Sequence, residues 1–386
     1  MSEAVIVAAK RTPIGRYGGK LQKLEPEDLV KPLIQHFQET LSVDWQQLDD
    51  VILGNIVGNG GNVARKSLLE AGLDISIPGV TVDRQCGSGL EAIHYACRMV
   101  EAGTGHFYIA GGVESTSRAP WKMERPTSLY ENEPPQFYER ASFAPEGQDP
   151  TMIEAADNVA RVYDISREDQ DQFAYDSYAK TVQAYDTGYF AEEMLPLKIN
   201  GDWMTQDEGV RRNVRLNLLA RLKPIYSNGT VTVGNCCSKN DGAALVVVMS
   251  KEYALSLGIT EGLKFIDYAI KGVDPNILGI GPVPAVSHLL DKHHLHITDI
   301  DAVELNEAFA AQVLASQRAL NIKASQLNQY GGAIAIGHPY SASGAILVTR
   351  LFHMKKQRLT LATMGIGGGM GNAALFERWT HGNTIH

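Results

Sequence analysis

Val80-Thr-Val-Asp-Arg-Gln-Cys86-Gly-Ser-Gly-Leu-Glu-Ala92 joins an apolar extended run, one cysteine and the opening of a helix. Gly87 and Gly89 permit a tight turn and close backbone approach. Leu90, Ile93, Cys97 and Val100 then recur at helical spacing. The pattern predicts the Cys86 sulfur at a helix N-terminus, where unpaired N–H groups and the helix dipole favour a thiolate. A nucleophile is one reading of that placement. An inert, small core residue is the other, since buried free cysteines commonly pack as hydrophobes.

The rest of the composition narrows the field. A chain of 386 residues exceeds one ordinary core and predicts more than one domain. Its net charge of -9 weighs against a nucleic-acid partner. Cys86, Cys97, Cys236 and Cys237 form neither a disulfide framework nor a zinc-type spacing, which predicts a reducing, cytoplasmic compartment. Cys97 reads as core. His293, His294 and His296 sit in a polar segment and read as solvated surface, so no metal is expected. The apolar run Ala4–Ala9 is too short for a signal segment and precedes Lys10-Arg11 instead of following a basic stretch. No run has the length of a membrane span.

Taken in order, the chain repeats itself. The first part reads as a strand Val5–Ala9, a helix Pro26–Thr40, a strand Val51–Leu53, a helix Ala64–Gly72, the Cys86 strand and helix, and a strand Phe107–Ala110. The last part reads as a strand Leu263–Ala269, a helix Pro284–Lys292, a strand Asp301–Asn306, a helix Ala308–Leu320, a helix Ala342–Phe352 and a strand Leu359–Met364. Asp49 to Asp301 and Cys86 to His338 both span 252 positions. Two copies of one βαβ-rich unit, packed about a pseudo-twofold axis, would bring Cys86 and His338 to a shared cleft. Between the copies, Ala119 to Val248 opens with a Pro-rich, charged stretch (Pro120–Pro150). Helices Met152–Tyr163 and Arg167–Ala184 follow, the second capped by Ser166, and Lys198–Pro224 reads as irregular. Such a segment reads as a cover over the cleft.

A cysteine at one helix entrance and a histidine at the other can form a nucleophile and base pair. Asn306-Glu307 ends a buried strand, where α/β folds place ligand groups. Each also has a plain structural reading: Asn306 as a loop anchor, Glu307 as the cap of its own helix. Gly367-Gly368-Gly369 is either an oxyanion or phosphate cradle or a simple tight turn.

Several motifs recur together: Arg11-Thr-Pro-Ile-Gly15, Cys86-Gly-Ser-Gly-Leu90, Gly111-Gly-Val-Glu-Ser115, Gly229-Thr-Val-Thr232, Asn240-Asp-Gly242 and Gly279-Ile-Gly-Pro282. Asn306-Glu-Ala-Phe309, Gly331-Gly-Ala-Ile-Ala335, Gly337-His-Pro339 and Gly367-Gly-Gly-Met-Gly371 complete the set. With these in order, the chain resembles the thiolase family of acyl-CoA C-acyltransferases over essentially its full length. The resemblance implies an α/β fold of duplicated βαβ-rich halves in a layered α/β/α/β/α arrangement with an inserted loop domain. The expected divisions are an N-terminal half at 1–118, with 243–262 returning to it, a cover domain for coenzyme A at 119–242, and a C-terminal half at 263–386. It implies acyl-CoA substrates, no cofactor, no nucleic-acid or membrane partner, and a homodimer or homotetramer. By resemblance, Cys86 is the acylated nucleophile and His338 its base. Asn306 holds a water in one oxyanion hole, and the N–H groups of Cys86 and Gly367 form the other. Met152, Tyr226, Cys237, Leu278 and Phe309 fall where the family lines its pantetheine and acyl pocket.

The sequence also departs from the family. The family's second catalytic cysteine, which moves the α-proton, stands two residues before the glycine triplet, and here that position is Gly365. Neither Gly365 nor Met364 can transfer a proton, and a positioned acid or base is worth about 10²–10⁴ in rate. Cys237 stands where the family usually has a serine that contacts coenzyme A. Cys236 and Cys237 read as packing residues, with a redox-sensitive thiol as the second reading. Leu278 replaces a common methionine. The expectation is therefore a thiolase-type transfer through acyl-Cys86. The alternative is a degenerate relative that binds, transfers or hydrolyses acyl groups without carbon–carbon chemistry.

Overall fold

The computed structural model describes residues 2–126, 128, 130, 134–137 and 140–382. Parts of the Pro120–Pro150 stretch therefore lie outside the described residues. Strands run across the molecule in the order Gly79–Val82, Asp50–Gly54, Phe107–Ser115, Asn240–Ser250, Ala4–Arg11, Glu261–Gly272, Met370–Thr380, Leu359–Ile366 and Ala302–Leu305. The order is nearly a palindrome. The outer pairs, Asp50–Gly54 with Phe107–Ser115 and Ala302–Leu305 with Leu359–Ile366, are parallel, and the inner pairs are antiparallel. Within the sheet, Ala4–Arg11 and Glu261–Gly272 join the two halves at Val5–Lys264 and Ile6–Leu263. The copies differ at one edge: where the first has Gly79–Val82, the second keeps a single bridge, Val303 to Leu327.

The repeat holds down to single hydrogen bonds. Asp49 Oδ2 accepts from the N–H groups of His106 (2.7 Å) and Phe107 (2.9 Å). Asp301 Oδ2 accepts from those of Arg358 (2.8 Å) and Leu359 (2.9 Å), each 252 positions further on. The helices Ser88–Glu101 and Tyr340–His353 share the same offset at both ends. They form the middle layer. Leu90, Ile93, Ala96, Cys97 and Val100 of the first, with Ala345, Val348 and Leu351 of the second, pack between the inner faces of the two half-sheets. Helices Pro26–Thr40 and Val63–Glu70 cover one outer face, and Pro282–Lys292 with Ala310–Leu320 the other. This gives the α/β/α/β/α layering. Ser341 to Leu351 are buried all round, as expected of a helix enclosed on every side.

Two strands escape the sequence reading in part. Met370–Thr380 was not expected, because Gly371 and Asn372 interrupt its apolar pattern. Asn240–Ser250, buried along its whole length, lies in the main sheet beside Ala4–Arg11. The irregular stretch after Lys198 holds a small hairpin, Leu197–Ile199 with Asp202–Met204, and a short helix Leu216–Leu219.

The middle helices meet where side chains are missing. A Cβ on Gly89 would stand 2.2 Å from Ser341 O, and one on Gly112 would stand 2.0 Å from the same oxygen. Both contacts are with backbone, so neither can yield cheaply. Gly89→Ala or Gly112→Ala should therefore lower unfolding free energy by about 1–3 kcal/mol, the usual cost of overpacking. Gly365→Ala, whose Cβ would have 3.5 Å of clearance, should not. Denaturant midpoints of the three variants measure the difference.

Candidate active site

Cys86 is set by a strained turn. Gln85 adopts φ +47°, a left-handed conformation that a non-glycine residue rarely takes. Ser88 Oγ holds the turn by accepting from Arg84 N–H at 2.8 Å and donating to Gln85 O at 2.5 Å. Nothing in the residue types announced this strain. The glycine triplet lies alongside: a Cβ on Gly367 would be 3.8 Å from Gln85 Cγ, and one on Gly87 would be 2.5 Å from Ile366. The Phe143 ring, from the inserted segment, lies 3.7 Å from the same Gly367 position and so covers the triplet.

His338 stands at the other helix entrance. Its N–H donates to Asn240 Oδ1 at 2.9 Å, and its Nδ1 lies 2.6 Å from Ser343 Oγ. Tyr340 packs edge-on against the imidazole at 5.4 Å. Glu114 links the two copies. Its carboxyl accepts from Asn55 Nδ2 (2.9 Å), from the N–H of Val57 (3.1 Å) and from Ser341 Oγ (2.7 Å). Asn240 and Glu114 lie in motifs read from the sequence but without a role there, and Ser343 and Tyr340 were not singled out. Glu114 had a signal, a carboxylate in the otherwise apolar Phe107–Ser115 strand.

Electrostatics corrects the expected thiolate. Desolvation, aided by the field of Glu114, pushes the Cys86 thiol up to about 12, and its own backbone N–H offsets this only partly. Burial also lowers His338 to about 4 and raises Glu114 to about 7. The resting pair is thus a neutral thiol and a neutral imidazole.

The other expected residues distribute as follows. Asn306 is buried at a strand end, its N–H donates to Thr363 O at 3.1 Å, and its Nδ2 has no hydrogen-bond partner among the described residues. Glu307 does not cap its own helix. It accepts from Ser177 Oγ (2.6 Å), Asn328 Nδ2 (2.9 Å) and Ile334 N–H (3.2 Å), anchoring other segments. Met152 begins helix Met152–Val162 beside Thr151, whose hydroxyl lies 3.1 Å from that of Tyr226. That helix packs on the segments carrying Leu278 and Phe309 through Val159, Ile277, Ile280, Ala311 and Ala315. Cys236 bridges to Phe309, and Cys237 N–H donates to Ala308 O at 2.9 Å. Gly365 is half-buried beside Leu278 O, 3.5 Å from the position of a Cβ. Cys97 is fully buried. His293 is not free surface, since its Nε2 lies 2.7 Å from Asp267 Oδ2. Arg211, Arg212 and Arg215 line a surface cavity of about 380 Å³ with Leu218, Leu219 and Leu222, a basic site that the irregular sequence there concealed.

Two family models match the chain: thiolase, N-terminal domain, over residues 4–252, and thiolase, C-terminal domain, over residues 260–378. The protein belongs to the thiolase family. With it, the chain is an acyltransferase. It is 61% identical over 383 residues to a Staphylococcus epidermidis protein provisionally named acetyl-CoA C-acetyltransferase VraB, covering 99% of this chain and 100% of that one. A Staphylococcus aureus protein of the same name is 58% identical over 379 residues, covering 98% and 100%. Among solved structures, the Bacillus anthracis acetyl-CoA acetyltransferase superposes with a TM-score of 0.93 at 34% identity, covering 98% of this chain and 99% of that one. Human mitochondrial 3-ketoacyl-CoA thiolase in complex with CoA gives 0.91 at 34% identity, covering 97% and 98%. Among the described residues, no helix is long and apolar enough to cross a membrane.

A thiol raised to about 12 should alkylate slowly near neutrality. Iodoacetamide labelling of Cys86, followed by peptide mass spectrometry, should accelerate about tenfold per pH unit from pH 7 to 10, as thiolate content does below its pKa. A plateau near pH 7 would contradict the neutral resting pair.

Proposed function

We propose that this protein is a thiolase-type acyl-CoA C-acyltransferase that works through an acyl-Cys86 intermediate. The observation that carries the reading is the meeting of two equivalent helix entrances, one bearing Cys86 and the other His338. In the tautomer that places a proton on Nδ1, toward Ser343 Oγ at 2.6 Å, the Nε2 lone pair of His338 is free to accept the Cys86 proton as the sulfur attacks a thioester. The proton then passes to the departing coenzyme A sulfur. Backbone N–H groups of Cys86 and Gly367 would stabilise the oxyanion of the acyl-enzyme, and Asn306 Nδ2, through a water, that of the second thioester. Segment 119–242 covers coenzyme A. Met152, Tyr226, Cys237, Leu278 and Phe309 line the pantetheine and acyl path, and Arg211, Arg212 and Arg215 suit the anionic nucleotide end. We assign the same unit to a cytoplasmic homodimer or homotetramer. Gly365 favours one second reading, acyl transfer or hydrolysis without carbon–carbon chemistry.

Intact-protein mass after mixing with acetyl-CoA should show one acetyl group, lost in Cys86→Ala. His338→Ala should slow acetyl exchange between acetyl-CoA and labelled coenzyme A by about 10²–10⁴. A base must be unprotonated to act. With His338 at about 4, the wild-type exchange rate should fall as pH drops through about 4, and show no loss near 6.5. An unmodified Cys86 under all these conditions would overturn the proposal.

A further inference from the structure

Carbon–carbon cleavage or condensation requires a proton to reach or leave the carbon α to the thioester, and Gly365 has no group for it. A second thiol, Cys237, stands on a segment bonded to both the Asn306 and the His338 loops. Cys237 lies in a turn clamped on both sides. Ala310 N–H donates to Asn235 O and Cys237 N–H to Ala308 O, both at 2.9 Å, which ties the turn to the Asn306–Phe309 loop. Beyond it, Lys239 bridges to His338, and Asn240 Oδ1 holds the His338 N–H at 2.9 Å. Cys237 is therefore fixed between the loops that carry Asn306 and His338. It keeps partial exposure, as do Cys86 and Gly365. Charge on Cys86 is felt at both Cys237 and Tyr340, so the three side chains share one field. The buried Asn306 Nδ2, without an acceptor among the described residues, marks the same loop as a ligand-facing wall.

Resting on the acyl-Cys86 reading, we propose that Cys237 is the proton-transferring thiol of this enzyme, in place of one at Gly365. In cleavage of a 3-ketoacyl-CoA, His338 takes the Cys86 proton and the sulfur bonds to C3. The C2–C3 bond breaks, and its electron pair takes the proton of Cys237. Acetyl-CoA leaves behind acyl-Cys86, imidazolium and the Cys237 thiolate. Incoming coenzyme A gives its thiol proton to Cys237 and attacks the acyl carbon. The expelled Cys86 sulfur recovers its proton from His338, restoring every group. Burial, which holds Cys237 in its protonated form, suits the donor in this direction.

Three readouts separate this role from plain packing: acetyl exchange between acetyl-CoA and labelled coenzyme A, cleavage of acetoacetyl-CoA, and entry of deuterium into the acetyl methyl in D2O. Exchange runs through acyl-Cys86 and moves no proton to or from carbon. Cys237→Ser should lower the ratio of cleavage to exchange by about 100-fold or more, with a parallel loss of deuterium entry. Gly365→Cys added to Cys237→Ser should restore at least about tenfold, since a Cβ at 365 has clearance. A Cys237→Ser enzyme that keeps the ratio within about threefold overturns the proposal, and a loss in Tyr340→Phe would then identify the donor. Exchange without any cleavage in the wild type also overturns it while leaving acyl-Cys86 intact. Absence of exchange removes the acyl-Cys86 reading itself.

Discussion

The contact between the helices Ser88–Glu101 and Tyr340–His353 is the constraint on which the molecule depends. Gly89 and Gly112 both face Ser341 O at distances no side chain would tolerate. Because the helices touch there, their N-terminal turns lie side by side and their buried faces share one core. Glu114 secures the junction from the first copy by holding Ser341 in the second. A methyl group at this interface would push the Cys86 and His338 entrances apart. Geometry of the site and stability of the fold therefore depend on the same few atoms.

Burial at that junction also sets the electrostatics. Cys86, His338 and Glu114 are each displaced toward the uncharged form, with desolvation the leading cause in every case. A site built this way holds little charge at rest. In such low-dielectric surroundings, any charge that does develop interacts more strongly with each donor aimed at it.

Much of this was legible in the sequence. The two middle helices, the strands Asp50–Gly54 and Ala302–Leu305, and the 252-residue offset followed from apolar periodicity, because enclosed elements must be apolar at the right spacing. Met370–Thr380 was not legible, since its pairing on both sides with Leu359–Ile366 and Glu261–Gly272 compensates for a weak local pattern. The ionisation of Cys86 was misjudged for an energetic reason. A helix terminus contributes about 0.3–1 kcal/mol, whereas withdrawing a charge from water costs on the order of several. Sequence reveals the helix entrance but not the depth at which it lies. Glu307 is similar: its neighbours in the chain suggested a local cap, and its partners Ser177, Asn328 and Ile334 come from elsewhere.

The paired aspartates, Asp49 and Asp301, each fasten the return of the chain to its sheet in the same way. Identical fasteners at equivalent corners give one polypeptide the internal symmetry of a homodimer, with its pseudo-twofold axis passing between the middle helices. Residues on such an axis would ordinarily have to be alike. Covalent fusion releases them from that requirement, so one entrance can keep sulfur while its twin keeps imidazole. The difference between Cys86 and His338 at equivalent positions is thus a freedom that two separate, identical chains could not have had.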